Sequence, residues 1–544
     1  MVSKRFYLKG NIQAEPLVNN WYAWSMLISP ATNAMITTKQ HHRILESYTA
    51  NPEIHASSAQ KKSLKGGLFV ENANELEPEF IKDFLEQDKQ NRAEIVALSQ
   101  AIDDLQKLIQ EEAKGMSLES LYERIPEPLQ GMVELNYDLN NYPSFRLIEP
   151  LFYMNPKFYD KSLQSINLCH LNSDDRPFIL SSPRFEGDNT VNLQIPFDSP
   201  LYEKLFASKQ HGLSLEEVEE ILSHAPNRAT KAELFYSFFS EKPSYVTTEA
   251  NTIQDDTIRV RYFGHATILI ESQHCSILSD PIISYDITNG PDRLSYKDLP
   301  DVIDYVVLTH NHQDHILFET MLQLRHKVKY WVVPPSASGT LQDPSIKLML
   351  TQLGFKNIIE LSEFETVTIN SDSRIVGVPF FGEHGDLNIQ SKLAYFIEVQ
   401  GHKLMCTADS RNLSPKLYEN VRTYLGPIDT LFIGMECKGA PLSWVYGPLY
   451  SGSLRRKMDQ DRRLNGSDCD SAWHITQCLE PSAIYIYAMG AEPWLSFVSS
   501  IAYTTSSEPI IESDKLIARC EEKQLEARRL YGTEVISLGN SRKK

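Results

Sequence analysis

The chain has 544 residues, with 53 basic and 71 acidic side chains and a formal charge of -18. That length exceeds what one hydrophobic core fills, so two or three domains are expected. The acidic balance argues against nucleic acid or an anionic membrane surface as the main partner. No stretch approaches about 18 consecutive apolar residues and residues 1–10 contain no apolar signal core, which predicts a cytoplasmic protein. Seven cysteines form no CxxC pair, so they read as reduced core or surface residues rather than a disulfide framework.

In chain order, residues 1–248 carry mainly helical signals broken by short strands, an α+β pattern whose expected role is dimerisation or partner docking. Ile95, Leu98, Ile102, Leu105 and Ile109 recur every three or four residues, and Gly115 supplies a stop. Ser214 with Glu217 forms a capping box ahead of Val218, Ile221 and Leu222. The polar run 247–252 reads as a linker to a second domain over 249–544. There the spacing predicts strands at Thr257–Tyr262, Thr267–Glu271, Ser276–Leu278, Ile303–Leu308, Lys329–Val333, Arg374–Val378, Ala394–Val399, Lys403–Cys406, Thr430–Ile433 and Ala483–Tyr487.

Ligand-type residues fall at the ends of these strands, where a rigid sheet presents functional loops. The strand ending at Leu308 runs into Thr309-His310-Asn311-His312-Gln313-Asp314-His315. His310 and His312 share a face of an extended segment, and Asp314 and His315 open the next one. One loop can therefore feed two metal ions about 3.5–4 Å apart. Asp280 follows the third strand, Gly382-Glu383-His384-Gly385 the sixth, and Asp409 the eighth. Glu383 and His384 would point opposite ways in an extended segment, so only one of them is expected at a given ion. Choosing Glu383 gives three histidines and three carboxylates, a harder donor set that suits iron or manganese better than an imidazole-rich zinc site.

The order of Gly264-His265-Ala266-Thr267, Ser279-Asp280-Pro281, the HxHxDH loop, residues 382–385 and Thr407-Ala408-Asp409-Ser410 resembles the metallo-β-lactamase superfamily over roughly residues 255–490. The resemblance implies an α/β fold, an αββα sandwich with a dinuclear site, placed here after the α+β N-terminal domain. The chain departs from the hydrolase pattern in its last histidine: His474 lies in Ala472-Trp473-His474-Ile475, which reads as an amphipathic helix and not as a strand-end loop. His265 and Asp280 sit at superfamily positions that usually support ligands rather than ligate.

That departure, the length, and the segments 434–444, 463–468 and 487–494 resemble one branch, the diiron β-hydroxylases acting on amino acids tethered to nonribosomal peptide synthetases, typified by the enzyme of chloramphenicol biosynthesis. The resemblance implies an O2-dependent monooxygenase of antibiotic biosynthesis in which His310, His312 and Glu383 hold one iron, Asp314 and His315 the other, and Asp409 bridges them. Glu436 would lie close by as a catalytic group. It further implies a carrier domain with a phosphopantetheine-bound amino acid as partner, and a homodimer. No flavin or nicotinamide motif is visible, so the electrons would come from an external reductase. The rival expectation is a dinuclear zinc hydrolase of lactonase or phosphodiesterase type, with His384 and His474 in the ligand set. The basic run Arg455-Arg456-Lys457 is expected either to receive the carrier or to pair with Asp459, Asp461 and neighbouring acids on a helix.

Overall fold

The computed structural model describes residues 4–245, 253, 257–337 and 339–538; the expected linker at 247–252 lies outside the described residues. Two seven-stranded sheets face each other. The first runs in the order Ile358–Glu360, Val328–Val333, Ile303–Val307, Ser276–Ser279, Thr267–Glu271, Ile258–Gly264, Glu534–Leu538. The second runs Thr366–Asn370, Ser373–Val378, Ala394–Val399, His402–Cys406, Thr430–Gly434, Ala483–Tyr487, Glu526–Arg529.

Strand alternation builds the layers, because successive side chains point to opposite faces. Tyr395, Ile397, Leu404 and Phe432 point between the sheets and meet Val260, Ile268, Ile277 and Val332 there. Their neighbours Phe396, Met405, Leu431 and Ile433 point outward and are covered by the helices Pro415–Leu425, Cys469–Leu479 and Glu508–Glu522. On the other side, Leu278, Val306 and Trp331 pack under the helices Phe318–Leu324 and Ile346–Gln352. This is the expected αββα sandwich. It extends to Leu538, beyond the limit near 490 that the motifs suggest, because the last strand pairs antiparallel with Ile258–Gly264.

The N-terminal half has a four-stranded antiparallel sheet in the order Trp21–Tyr22, Ile12–Val18, Gln164–His170, Thr190–Leu193. The helix read from the apolar stripe spans Ala93–Glu112, and its five stripe residues are buried. The capping box forms with both reciprocal bonds, Glu217 N to Ser214 Oγ and Ser214 N to Glu217 Oε2. The two halves share apolar cores: Ile166, Leu193 and Phe206 cluster with Leu278, Val306 and Met321. Among the described residues no helix is long and apolar enough to cross a membrane.

A buried charge cluster also joins the halves. Arg176 Nη2 donates to Glu15 Oε1 and to Glu319 Oε2, each at 2.8 Å. The hydroxyls of Tyr22 and Tyr285 donate to the two oxygens of Glu319 at 2.6 and 2.7 Å. Glu319 opens the helix that directly follows the HxHxDH loop, so this cluster ties the N-terminal sheet to the segment that carries the candidate ligands.

Candidate metal centre

All the candidate ligands lie at one edge of the sandwich, in the loops after the strands named above. Three overlapping groups have ligand atoms within 4.8 Å of one another: His310, His312 and Glu383; His310, His315 and Asp409; His265, Asp314 and His315. His312 Nδ1 lies 2.5 Å from Glu383 Oε1, and His310 Nε2 lies 3.4 Å from Glu383 Oε2. Asp409 Oδ2 is 3.1 Å from His315 Nε2 and 3.8 Å from His310 Nε2, which places this carboxylate between the two sets. His310 Nε2, Glu383 Oε2 and Asp409 Oδ1 are buried without a hydrogen-bond partner among the described residues. Buried polar atoms are rarely left so. A mixed set of imidazoles and carboxylates converging with unused lone pairs fits a pair of divalent cations, and the oxygen-rich side fits iron.

Electrostatics point the same way. Burial pushes the Asp409 carboxyl up to about 6. Burial and the charges of Asp409, Asp314 and Glu383 raise Glu436, which is partly exposed, well above the usual carboxylate range. Burial alone would raise Glu383, but His312, His384 and His310 around it hold it well below. Such crowding of carboxylates is the repulsion that bound cations relieve.

The loops adopt the backbone that this geometry needs. Glu383 has φ +67°, not the extended conformation that the sequence reading assumed, so the separation of Glu383 from His384 comes from a left-handed turn rather than from strand alternation. Gly382 before it has φ +86°, and a Cβ there would come within 2.8 Å of Arg411 Cβ. His384 stacks on His312 with ring centroids 4.6 Å apart and puts Nδ1 3.1 Å from Glu383 Oε2, outside the three ligand groups. His265, Asp280 and Ala408 also carry positive φ. Backbone strain gathered at one edge is a mark of a functional site.

The sequence reading set His265 and Asp280 together as supporting residues, and the structure separates them. His265 Nε2 lies 3.3 Å from His315 Nε2 and 3.6 Å from Asp314 Oδ2, within reach of a shared ion. Asp280 Oδ2 instead takes His315 Nδ1 at 2.8 Å, and the Thr309 backbone and hydroxyl donate to its two oxygens at 2.7 and 2.6 Å. An outer carboxylate of this kind fixes the tautomer and orientation of its histidine, so Asp280→Ala is expected to lower metal affinity or activity about 10–100-fold, read by metal titration. Sequence reasoning missed Tyr446, whose hydroxyl lies 3.0 Å from His312 Nε2 across 134 residues of chain. No local signal marks it. His474 lies on the helix Cys469–Leu479 with Nδ1 2.9 Å from Asn412 Nδ2, outside the three ligand groups. Arg455 precedes the helix Arg456–Asp461 without a side-chain capping bond, and Arg455, Arg456 and Lys457 are exposed.

Comparison with known proteins agrees with this geometry. Residues 7–243 match the diiron non-haem β-hydroxylase N-terminal domain, and residues 276–440 match the β-lactamase superfamily domain. The 4-amino-L-phenylalanyl-[CmlP-peptidyl-carrier-protein] 3-hydroxylase of Streptomyces venezuelae is 36% identical over 531 residues, which cover 97% of this chain and 98% of the relative. The crystal structure of CmlA, a diiron β-hydroxylase from Streptomyces venezuelae, superposes with a TM-score of 0.91 at 34% identity, covering 98% of this chain and 100% of that one. With identity sustained from one end to the other and with a shared fold, the chain belongs to the diiron non-haem β-hydroxylase family.

Proposed function

We propose that this enzyme β-hydroxylates an amino acid held as a thioester on the phosphopantetheine arm of a nonribosomal peptide synthetase carrier domain. The Streptomyces venezuelae relative is named for hydroxylating a carrier-bound amino acid. The observation in this chain that supports the reading is the grouping of Glu383 with His310 and His312, where a hydrolase would use a third imidazole. His310, His312 and Glu383 would hold one iron and Asp314 and His315 the other, with Asp409 between them and His265 as an additional donor for the second ion. When bound, a reduced iron pair would supply dioxygen activation, by which one oxygen atom enters the β C–H bond and the other leaves as water, with two electrons from an external reductase and two protons from solvent.

The residues of the chain orient and shield this chemistry. Asp280 holds His315 and Tyr446 holds His312, so both imidazoles keep fixed directions without reorganising during turnover. Glu436, with its raised affinity for a proton, can hold a proton at its carboxyl beside Asp314 and Asp409. His310, His315 and Asp409 are buried, while Asp314 keeps 20% of its side chain exposed and marks the open side of the site. A homodimer formed through the N-terminal domain belongs to the same reading.

Iron-grown enzyme is expected to carry about two irons per chain and to show a ferric near-ultraviolet band that bleaches on reduction. Given a reductant and dioxygen, it should add one oxygen atom to the β-carbon of an aminoacyl carrier substrate, tested by mass spectrometry with aromatic and with leucine-type side chains. Stoichiometric zinc with activity independent of iron would overturn the oxygenase reading. Efficient hydroxylation of the free amino acid would overturn the tethered substrate.

A further inference from the structure

We infer that the groove between the helix His42–Ala50 and the segment 443–459 is where the carrier domain docks, an inference that rests on the carrier-bound substrate proposed above. The cavity is about 590 Å³, and Arg43, Ile44, Leu68, Pro448, Tyr450 and Leu454 are among its walls. Leu454 and Asp459, which line it, bracket the basic run, so Arg455, Arg456 and Lys457 lie beside its wall along the chain. All three, with Arg43, are exposed and make no ion pair among the described residues. The helix-pairing alternative raised by the sequence is not what the side chains do, since the Asp459 carboxylate accepts instead from the Ser443 backbone at 2.7 Å. One unpaired cation in the wall of this concave, partly apolar surface and three in the segment between two of its lining residues stand out on a protein of net charge -18. Unpaired cations keep their reach for an incoming anion, and they steer its approach before contact. The substrate proposed here arrives on an arm that contains a phosphodiester, so it brings the matching charge.

The groove is built to be firm and lies close to the metal centre. Lys39 Nζ donates to Asp103 at 2.7 Å and to the Tyr450 carbonyl at 2.9 Å, fastening the N-terminal half to the 443–450 segment across the groove floor. The same segment carries Tyr446, whose hydroxyl reaches His312. One short stretch of chain thus has the basic groove at one end and, at the other, the hydroxyl that supports His312. A macromolecule seated in the groove would lie one helical turn of chain from the group that supports His312.

The test uses the iron-loaded enzyme with the triple variant Arg43→Glu, Arg455→Glu, Arg456→Glu. A control reverses the same number of exposed charges elsewhere: Lys242→Glu, Lys356→Glu, Lys523→Glu. The probe is an aminoacyl carrier domain that the wild-type enzyme turns over. The groove variant should raise KM at least about tenfold and flatten its salt dependence, with iron content, spectrum and kcat at saturating carrier unchanged, while the control stays near wild type. An unchanged KM in the groove variant overturns the docking site and leaves the proposed reaction standing. A changed sedimentation coefficient with unchanged KM assigns the surface to a contact between two copies of the chain and likewise overturns it. If the wild-type enzyme hydroxylates no carrier-bound amino acid, the proposed function fails and the docking site falls with it.

Discussion

Glu383→Ala is expected to lose most of one iron and all hydroxylation, whereas His384→Ala keeps both irons. The two side chains are adjacent, yet only Glu383 shares a ligand group with His310 and His312. His384 lies against the outside of that group, stacked on His312 and 3.1 Å from the Glu383 carboxylate, so its loss disturbs orientation and not coordination. The second variant should therefore cost no more than about 100-fold in activity. Iron per chain by elemental analysis and the intensity of the ferric band separate the outcomes. Equal metal loss in both variants, or loss in His384→Ala alone, would return the site to a hydrolase-like ligand set.

The largest stability effect is expected at Arg176. Its guanidinium lies between Glu15 and Glu319 and 3.5 Å over the Phe497 ring, and all three charged side chains are buried. Removing one partner of a buried ionic cluster leaves uncompensated charge, so Arg176→Ala should destabilise by roughly 3–5 kcal/mol, read as a lower urea midpoint. The effect depends on pH with a definite sign. Burial raises the Glu15 carboxyl, but Arg184 and Arg176 outweigh it and hold its pKa below the ordinary 4.5. A depressed carboxylate contributes stability that is present above its unfolded value and is lost as pH falls through the folded one. The gap between wild type and variant should therefore be widest near neutral pH and narrow below about pH 4.5. A gap independent of pH would mean that packing against Phe497, and not charge, carries the contribution.

The sequence was most legible where the chemistry is local. The HxHxDH loop packs four candidate ligands into one turn of chain, and all four fall within the ligand groups. Each of the ten strands expected from alternating apolar residues has a counterpart within two residues at either end. In the same half of the chain, four further strands among the described residues lack that signal for a common reason. Ile358–Glu360 and Thr366–Asn370 lie at sheet edges and are partly exposed, Glu526–Arg529 is an edge strand with three charges in four residues, and the edge strand Glu534–Leu538 leaves Val535 and Ser537 exposed. Edge strands need no continuous apolar run, so periodicity does not mark them. The approach of His265 to Asp314, the support of His312 by Tyr446 and the Glu15–Arg176–Glu319 cluster depend on contacts between distant parts of the chain, which spacing alone cannot reveal. The Glu383 turn was misread for a different reason. Its left-handed φ lies in a turn between Gly382 and Gly385, both also at positive φ, whereas an extended segment is what alternation predicts.

The pairing of Leu538 with Ile258 has a meaning for modularity. The sandwich begins and ends on neighbouring strands, so the polypeptide comes into this half and goes out of it at one corner, far from any crossing of the sheets. A unit closed in this way accepts a fused module at that corner without rethreading. The N-terminal half packs on this unit through shared apolar cores and the Arg176 cluster, so cutting the chain between them would bare an apolar flank and leave buried charges unpaired.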